Sequence, residues 1–205
     1  MLAALVLSGS AQGAETGEHP QAIGEAAQDL PLFDAHVHYK AEAWEPYPEA
    51  TVIELMDRSG VAMALVSSTP DEGTIRLLEF APDRIVPELR PYHGEWGPQN
   101  WTRSPGMLDY LRQRLSQYPH QGIGEFHIHR LDTADAELLK QVAVLAREHG
   151  IPIHLHSDAE PVSFFYGLDP GLTIIWAHVG MIEDPPRIRE MMTRHATLYA
   201  DTSYR

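Results

Sequence analysis

The stretch Leu32-Phe33-Asp34-Ala35-His36-Val37-His38 determines how the rest of this chain is interpreted. Its apolar run predicts a short β-strand, and two histidines stand two residues apart at its end. Because successive side chains of a strand alternate between its faces, His36 and His38 point to the same side. Two neutral imidazoles on one side of a strand end form half of a site for zinc or a similar divalent ion. The alternative is a pair of polar residues at a strand exit that bind nothing.

Strands and helices are predicted to alternate from this stretch to the C-terminus. Six further apolar runs predict strands at residues 61–67, 84–90, 122–129, 151–156, 172–178 and 197–201. Helical spacing of apolar residues predicts helices at 49–59, 70–80 and 107–118, then one from Asp132 or Thr133 to Gly150, one at 161–166 and one opened by Asp184. Seven units of this kind favour a parallel sheet with crossover helices.

The polar residues at the strand ends indicate which parallel architecture this is. An open doubly wound sheet normally carries a glycine-rich phosphate turn after its first strand, where this chain has His36-Val37-His38. Chemistry gathered at the C-terminal ends of parallel strands is typical of a (β/α)₈ barrel. We therefore predict an α/β fold of the (β/α)₈ TIM-barrel type over residues 31–205, with strand eight missing from this chain and the open sheet as the alternative.

Composition limits the partners and the metal ligands. The chain has 205 residues, a net charge of −14 and no basic run, so nucleic acid and anionic membrane are not expected as partners. It contains no cysteine, so a metal must be held by histidine, aspartate or glutamate.

The N-terminus predicts an exported protein. Residues 1–14 resemble the apolar region and small-residue cleavage site of a signal peptide, although a basic region before them is missing. The expected location is periplasmic or secreted; the alternative is a disordered leader with a chance apolar run. Residues 15–30 are small and polar and predict a flexible lead-in. Nothing else in the sequence is long enough to span a membrane.

Ligand-type residues recur at four of the predicted strands. Because the C-terminal ends of parallel barrel strands meet at one rim, these residues converge there. Glu125 follows Gly124 and precedes an apolar residue, where an unpaired buried carboxylate would be costly, and a metal would compensate that cost. The predicted metal ligands are His36, His38, Glu125, His156 and His178.

Three segments resemble the amidohydrolase superfamily. Residues 33–38, 151–156 and 175–180 are similar to its amidohydrolase-related branch, which includes TIM-barrel hydrolases and some non-oxidative decarboxylases. Gly122-Ile123-Gly124-Glu125 resembles the strand-four motif of the TatD-like deoxyribonuclease and phosphotriesterase-type branches, and residues 198–203 resemble a strand-seven segment. The resemblance covers nearly everything after Pro31.

The resemblance implies a role for each of these residues. His36 and His38 correspond to the strand-one metal ligands and His156 to the strand-five ligand. His178 either binds a second metal or polarises the reacting carbonyl. Neither lysine of the chain matches the carboxylated lysine that bridges two metals in many relatives, so Glu125 is the expected bridge. The expected cofactor is one or two divalent ions, zinc first and manganese as the alternative.

One departure from the family pattern concerns the general base. The family's strand eight ends in an aspartate that binds metal and acts as base, whereas this sequence stops four residues after the predicted strand seven. We therefore expect the sequence to be truncated at its C-terminus. Asp201, on strand seven, is only a weak candidate for that base.

The function implied is a metal-dependent hydrolase that attacks a small-molecule substrate with a metal-activated water. His178 is the expected catalytic residue, and Arg90 and Tyr92 are expected to hold a substrate carboxylate. Arg90 has an alternative role, pairing with a structural acid. The alternative functions are a metal-dependent non-oxidative decarboxylase and an inactive truncated remnant. Sequence leaves the substrate, the number of metals and the oligomeric state open.

Overall fold

Seven strands and six α-helices alternate along residues 31–204, the part of the chain that the computed structural model describes. The strands are β1 Leu32–Val37, β2 Val61–Ser67, β3 Ile85–Glu88, β4 Ile123–Ile128, β5 Ile153–Ser157, β6 Ile174–Trp176 and β7 Leu198–Ala200. The helices are α1 Glu49–Arg58, α2 Glu72–Phe80, α3 Met107–Gln117, α4 Thr133–His149, α5 Ala159–Leu168 and α6 Pro185–Arg194. The predicted signal peptide and lead-in lie outside these residues and stay predictions.

All strand pairs are parallel, and neighbours in space are neighbours in sequence. β1, β2 and β3 form one ladder, and β4 to β7 form the next. Leu89 joins the two ladders, because it donates to Gly122 O at 2.9 Å and accepts from Gly124 N at 2.8 Å. Each parallel pair requires a crossover, which the intervening helices provide. The predicted α/β fold with parallel strands is thereby confirmed.

A groove separates the first strand from the last. Among the described residues no ladder joins β1 to β7, and the groove between them encloses about 480 Å³. Leu32 and Phe33 of β1 line it from one side, and Ala200 with Asp201 lines it from the other. Leu32 and Phe33 lie at the N-terminal end of β1, and their side chains are half exposed.

Apolar packing between sheet and helices fixes the strand positions. Phe126 of β4 is fully buried, with its ring centroid 4.8 Å from Trp101 and 6.3 Å from Phe165 of α5. A smaller cluster around Val66 and Leu77 packs β2 against α2. Each buried aromatic or aliphatic side chain of this size contributes roughly 1.5–3 kcal/mol, so the scaffold under the polar residues is firmly held. No helix within residues 31–204 has the length and apolarity needed to cross a membrane.

Polar side chains recur at alternate positions near the ends of four strands. Since the side-chain period of a strand is two, both members of each pair lie on one face. The pairs are His36 and His38, Glu88 and Arg90, Glu125 and His127, and His154 and His156. Contacts among these pairs, described below, place them on the same side of the sheet.

The backbone around His178 differs from the prediction. Strand six was predicted to reach His178, but β6 ends at Trp176 and a short 3₁₀ turn, Ala177–Gly180, follows. His178 itself has φ 55° and ψ 22°, a left-handed conformation that cannot continue a ladder. Its N–H donates instead to Asp201 Oδ1 at 3.3 Å. The predicted strand assignment of His178 is therefore wrong, although the residue stays at the same end of the sheet.

Candidate metal centre

A cavity of about 750 Å³ lies at the C-terminal ends of the strands. All five predicted metal ligands line it, together with Arg90 and His127. The same cavity is bordered at its mouth by Lys40, Pro98, Met181 and Tyr204. The structure therefore brings together residues that are up to 142 positions apart, His36 and His178 being the outermost ligands.

Glu125 occupies the centre of the cluster. Its side chain is only 2% exposed, and its backbone N–H donates to Ser67 Oγ at 3.1 Å. The preceding residue, Gly124, has φ +146°, and a Cβ there would lie 2.2 Å from the His154 carbonyl oxygen. Only glycine fits this close approach, so Gly124 allows β4 to present Glu125 at this point.

Four imidazoles surround the Glu125 carboxylate. Oε2 lies 3.2 Å from His38 Nε2. Oε1 lies 3.7 Å from His36 Nε2, 3.4 Å from His178 Nε2 and 2.5 Å from His156 Nδ1. Oε2 thus faces His38, and Oε1 faces His156, His178 and, at the longest distance, His36, so histidine nitrogens lie beside both oxygens of the carboxylate.

Arg90 is paired with the same carboxylate. Its Nε donates to the Glu125 carbonyl oxygen at 2.9 Å and its Nη2 to Oε2 at 2.6 Å. The guanidinium lies over the Tyr92 ring, 4.7 Å from the centroid. Tyr92 is 1% exposed, its hydroxyl contacts His127, and it is not among the described residues lining the cavity. Arg90 therefore holds Glu125, a predicted metal ligand and not a purely structural acid, and substrate binding by Arg90 and Tyr92 stays a prediction.

Hydrogen bonds on the outer side of three rings define their tautomers. His38 Nδ1 lies 2.6 Å from the Ser67 carbonyl oxygen, and His178 Nδ1 lies 2.8 Å from the Ser203 carbonyl oxygen. A carbonyl oxygen only accepts, so each Nδ1 carries the proton. His36 Nδ1 likewise donates to Asp201 Oδ2 at 3.2 Å. Each Nε2 therefore points at the cluster, where it would bind a metal ion once any proton on it is released, which is how metal-binding histidines are held.

These atoms form two triads that share Glu125, next to a third possible group of His36, His178 and Asp201. The first is His36, His38 and Glu125; the second is Glu125, His156 and His178. Within each triad the ligand atoms lie within 4.8 Å of one another. Two ligands at 2.0–2.1 Å from a tetrahedral zinc ion are about 3.3 Å apart, and most of the separations above, from 3.2 to 3.7 Å, lie near that value. The residues present fit divalent ions.

Charge in the cluster is strongly coupled. Burial alone would raise the pKa of Glu125, but hydrogen bonds from His156, His36 and His38, with the charge of Arg90, lower it far below its usual range. Burial lowers the pKa of His36, whereas hydrogen bonds to Asp201 and Glu125 outweigh burial and raise it to about 9. Burial dominates at His38, whose pKa is lowered. The carboxylate thus stays ionised, ready to bind a cation.

Three residues near the cluster, His127, His154 and Ser203, were not predicted to have a role. Asp201 was predicted only as a weak candidate for the general base. Asp201 is 8% exposed, contacts His36, His154 and Ser203, and lines the groove rather than the central cavity. Burial raises its pKa, but hydrogen bonds from His154, His36 and Ser203 lower it well below the usual range. Asp201 is thus held ionised between its neighbours, and its role as a base stays a prediction. The sequence contained a pattern that could have identified His127 and His154, because each lies two residues from a predicted ligand, Glu125 and His156 respectively.

Comparison with known proteins identifies the fold. No protein-family model matches the chain, and no curated protein matches it. Among solved structures, the phosphotriesterase homology protein from Escherichia coli, complexed with phosphate in its active site, has a TM-score of 0.55 at 14% identity, covering 83% of this chain and 68% of that one.

Two other structures give a similar result. The organophosphorus hydrolase from Deinococcus radiodurans has a TM-score of 0.53 at 14% identity, covering 84% of this chain and 64% of its own. A lactonase template engineered for organophosphate hydrolysis has a TM-score of 0.53 at 13% identity, covering 84% and 66%. The chain spans about two thirds of the length of these proteins. At such identities the likeness establishes the TIM-barrel type of fold and leaves the activity to be argued from the site.

Proposed function

We propose that this protein is a metal-dependent hydrolase of a small-molecule substrate, with two divalent ions bridged by Glu125. One observation carries the proposal: two triads of ligand atoms share a single buried carboxylate. Phosphotriesterase-like hydrolases among the structures of similar fold support it. All the ligands are histidine nitrogens and carboxylate oxygens, a set that suits zinc, with manganese as the alternative.

Ions bound by these triads would supply Lewis acidity, which polarises a substrate oxygen and lowers the pKa of bound water. The chain's own contribution begins with its ligands. His178 Nδ1 donates to the Ser203 carbonyl oxygen, and its Nε2 faces the Glu125 carboxylate at 3.4 Å. This geometry favours the role of metal ligand for His178 over that of a group polarising the carbonyl directly.

His127 is the better candidate for stabilising developing negative charge. The Tyr92 hydroxyl accepts the His127 backbone N–H at 2.8 Å and lies 2.8 Å from its Nδ1, where its own proton is placed to be donated to Nδ1. Burial lowers the pKa of His127 to about 3, so the ring is neutral with its proton on Nε2. A neutral imidazole that lines the cavity and has one N–H to donate suits an oxyanion.

Charge around the cavity favours an anionic substrate. The chain has two lysines and a net charge of −14, yet one of those lysines, Lys40, lines the cavity, as does Arg90. Glu125 is the only acidic residue on the described part of the lining, and Arg90 already offsets its charge. With divalent ions bound, the cavity would be strongly positive in a negatively charged protein, which attracts carboxylate or phosphoryl groups.

The decisive experiment measures metal content and hydrolysis together. The purified chain would be analysed for bound metal, reloaded with zinc or manganese, and assayed with lactones, carboxylic esters and phosphate esters. Glu125→Gln is the matched negative control. Absence of bound metal, with no hydrolysis after reloading, would overturn the proposal. Aromatic carboxylic acids belong in the same panel, since release of carbon dioxide would assign a decarboxylase at this site instead.

Export of the protein also stays a proposal. It depends on residues 1–14, whose apolar run and small residues are typical of a signal peptide. Mass spectrometry of the N-terminus of the protein recovered from the periplasm tests it, and recovery with residues 1–14 intact in the cytoplasm would contradict it.

A further inference from the structure

A chain of buried polar side chains runs from β3 to β1 beneath the metal centre. Glu88 Oε2 lies 2.9 Å from His154 Nδ1. His154 Nε2 lies 3.2 Å from Asp201 Oδ2, and the same oxygen lies 3.2 Å from His36 Nδ1. Glu88 and His154 are each 1% exposed. The strands that carry or precede these residues are far apart in sequence. This series of side-chain hydrogen bonds nevertheless connects four of them: β3, β5, β7 and β1.

The chemistry of these contacts fixes which atom donates. A carboxylate only accepts hydrogen bonds, so both nitrogens of His154 donate, one to Glu88 and one to Asp201. A ring held between two carboxylates in this way cannot rotate without breaking a charge-assisted bond. Asp201 is further held by Ser203, whose hydroxyl donates to Oδ1 at 2.6 Å. Its Oδ2 is therefore held in place as the acceptor for His36.

We propose that Glu88 and His154 are positioning residues that hold Asp201 so that His36 keeps its proton on Nδ1 and offers Nε2 to a metal. This inference rests on the proposed function, because it assigns a purpose to the ring orientation of one predicted ligand. Neither residue lines the central cavity within the described part of the chain, so they act through Asp201 and not on the substrate.

The competing explanation is that these residues form a buried ion-pair network that only stabilises the fold. The chain supplies a matched comparison for it. His120 Nε2 lies 3.0 Å from Asp71 Oδ1, and both side chains are fully buried. This pair is the same kind of buried histidine–carboxylate contact, outside the cavity. Replacing His120 therefore measures the structural cost alone.

The experiment titrates Co²⁺ into the full chain and follows its visible absorption, in the wild type and in His154→Gln, Glu88→Gln and His120→Gln. Glutamine at 154 donates to only one of the two carboxylates. Glu88→Gln, which keeps the side-chain shape, serves if His154→Gln fails to fold. His38→Ala identifies the absorption of the ion held by His36 and His38, because it removes a ligand from that triad only. Thermal unfolding of each metal-free variant measures the structural cost.

We expect His154→Gln to lower the affinity for the ion held by His36 and His38 by 10- to 100-fold, the usual effect of losing an outer partner of a ligand. Its spectrum should lose the same absorption bands that His38→Ala loses. Glu88→Gln should weaken the same ion by about tenfold, while His120→Gln should lower thermal stability and leave both ions unchanged. If His154→Gln and Glu88→Gln bind both ions as the wild type does, the positioning role is overturned and the proposed function stands. If the wild type binds no ion, both proposals fail.

Discussion

The Nε2 atoms of His36 and His38 lie 3.2 Å apart, with the two rings nearly perpendicular at 76°. Each ring donates from its opposite nitrogen, His36 to Asp201 and His38 to the Ser67 carbonyl. Without a metal, His36, whose pKa is raised to about 9, keeps a proton between these two nitrogens, and a metal ion bound there would replace that proton. The pair is therefore arranged for a shared cation, and the carboxylate of Glu125 beside it offsets the cation's charge.

Glu125 should be the residue on which both ions depend. Because Oε2 faces His38 and Oε1 faces His36, His156 and His178, Glu125→Gln removes a charged ligand from both triads. We expect metal affinity to fall by at least 100-fold, measured by competition with a chromophoric chelator. Glu137→Gln, an exposed change on α4, is the control. Retention of both ions by Glu125→Gln would contradict the shared bridge.

Metal removal should lower stability. Ions present at about 1,000 times their dissociation constant, binding the folded chain alone, add about 4 kcal/mol. For a domain of this size, that amounts to a rise in melting temperature of roughly 8–16 °C. Chelation should reverse this rise and added zinc should restore it, as read by thermal unfolding. A melting temperature insensitive to chelation and to zinc would argue against the metal centre.

Lys40 should select anionic substrates. Lys40 lines the cavity, and removing a charge contact to a bound anion costs about 1.4 kcal/mol, or tenfold in binding. In Lys40→Ala we expect KM to rise about tenfold for a negatively charged ester and to change little for a neutral ester with the same leaving group. Lys140→Ala, on exposed α4 beside Glu137, is the matched control. Equal effects on both esters would exclude charge recognition by Lys40.

Gly124 should tolerate no side chain. A Cβ there would lie 2.2 Å from the His154 carbonyl oxygen, and φ of +146° disfavours any other residue. Gly124→Ala should lower the free energy of unfolding by about 2 to 4 kcal/mol, as measured by urea denaturation. Gly97→Ala has open space around its Cβ and should change stability by less than about 1 kcal/mol. Similar stabilities for the two variants would show that β4 can move without cost.

Phe126 should be a major source of stability. It is fully buried between Trp101 and Phe165, so Phe126→Ala leaves a cavity and should cost about 3 to 5 kcal/mol. Phe80 is 54% exposed, and Phe80→Ala should cost less than about 1 kcal/mol. Both values come from denaturant unfolding of the metal-free chain. A small loss in Phe126→Ala would mean that the core around β4 collapses to fill the space.

The alternation of strands and helices was predictable because it depends on local periodicity. Helix α1 (Glu49–Arg58) and strand β2 (Val61–Ser67) lie within one residue of their predicted positions. A glycine marks the end of the helix, and an unbroken apolar run marks the strand. Strand five was predicted to start at residue 151 but begins at Ile153, because Pro152 has no N–H to donate to the ladder. Strand six was predicted too long for a different reason, the left-handed backbone of His178. No local pattern in the sequence predicts that conformation.

The sequence alone determined which side chains share a face. The spacing of two in His36 and His38, together with the order of the strands, was enough to predict that the five ligands converge, because side-chain alternation is a property of each strand by itself. Only the tertiary structure decided which partner each ligand has. Asp201 contacts His36 across 165 residues, and Glu88 contacts His154 across 66. Such pairings depend on the register between strands and on packing beneath them, which are non-local, so the tautomer of each ring could not be deduced before the fold was known.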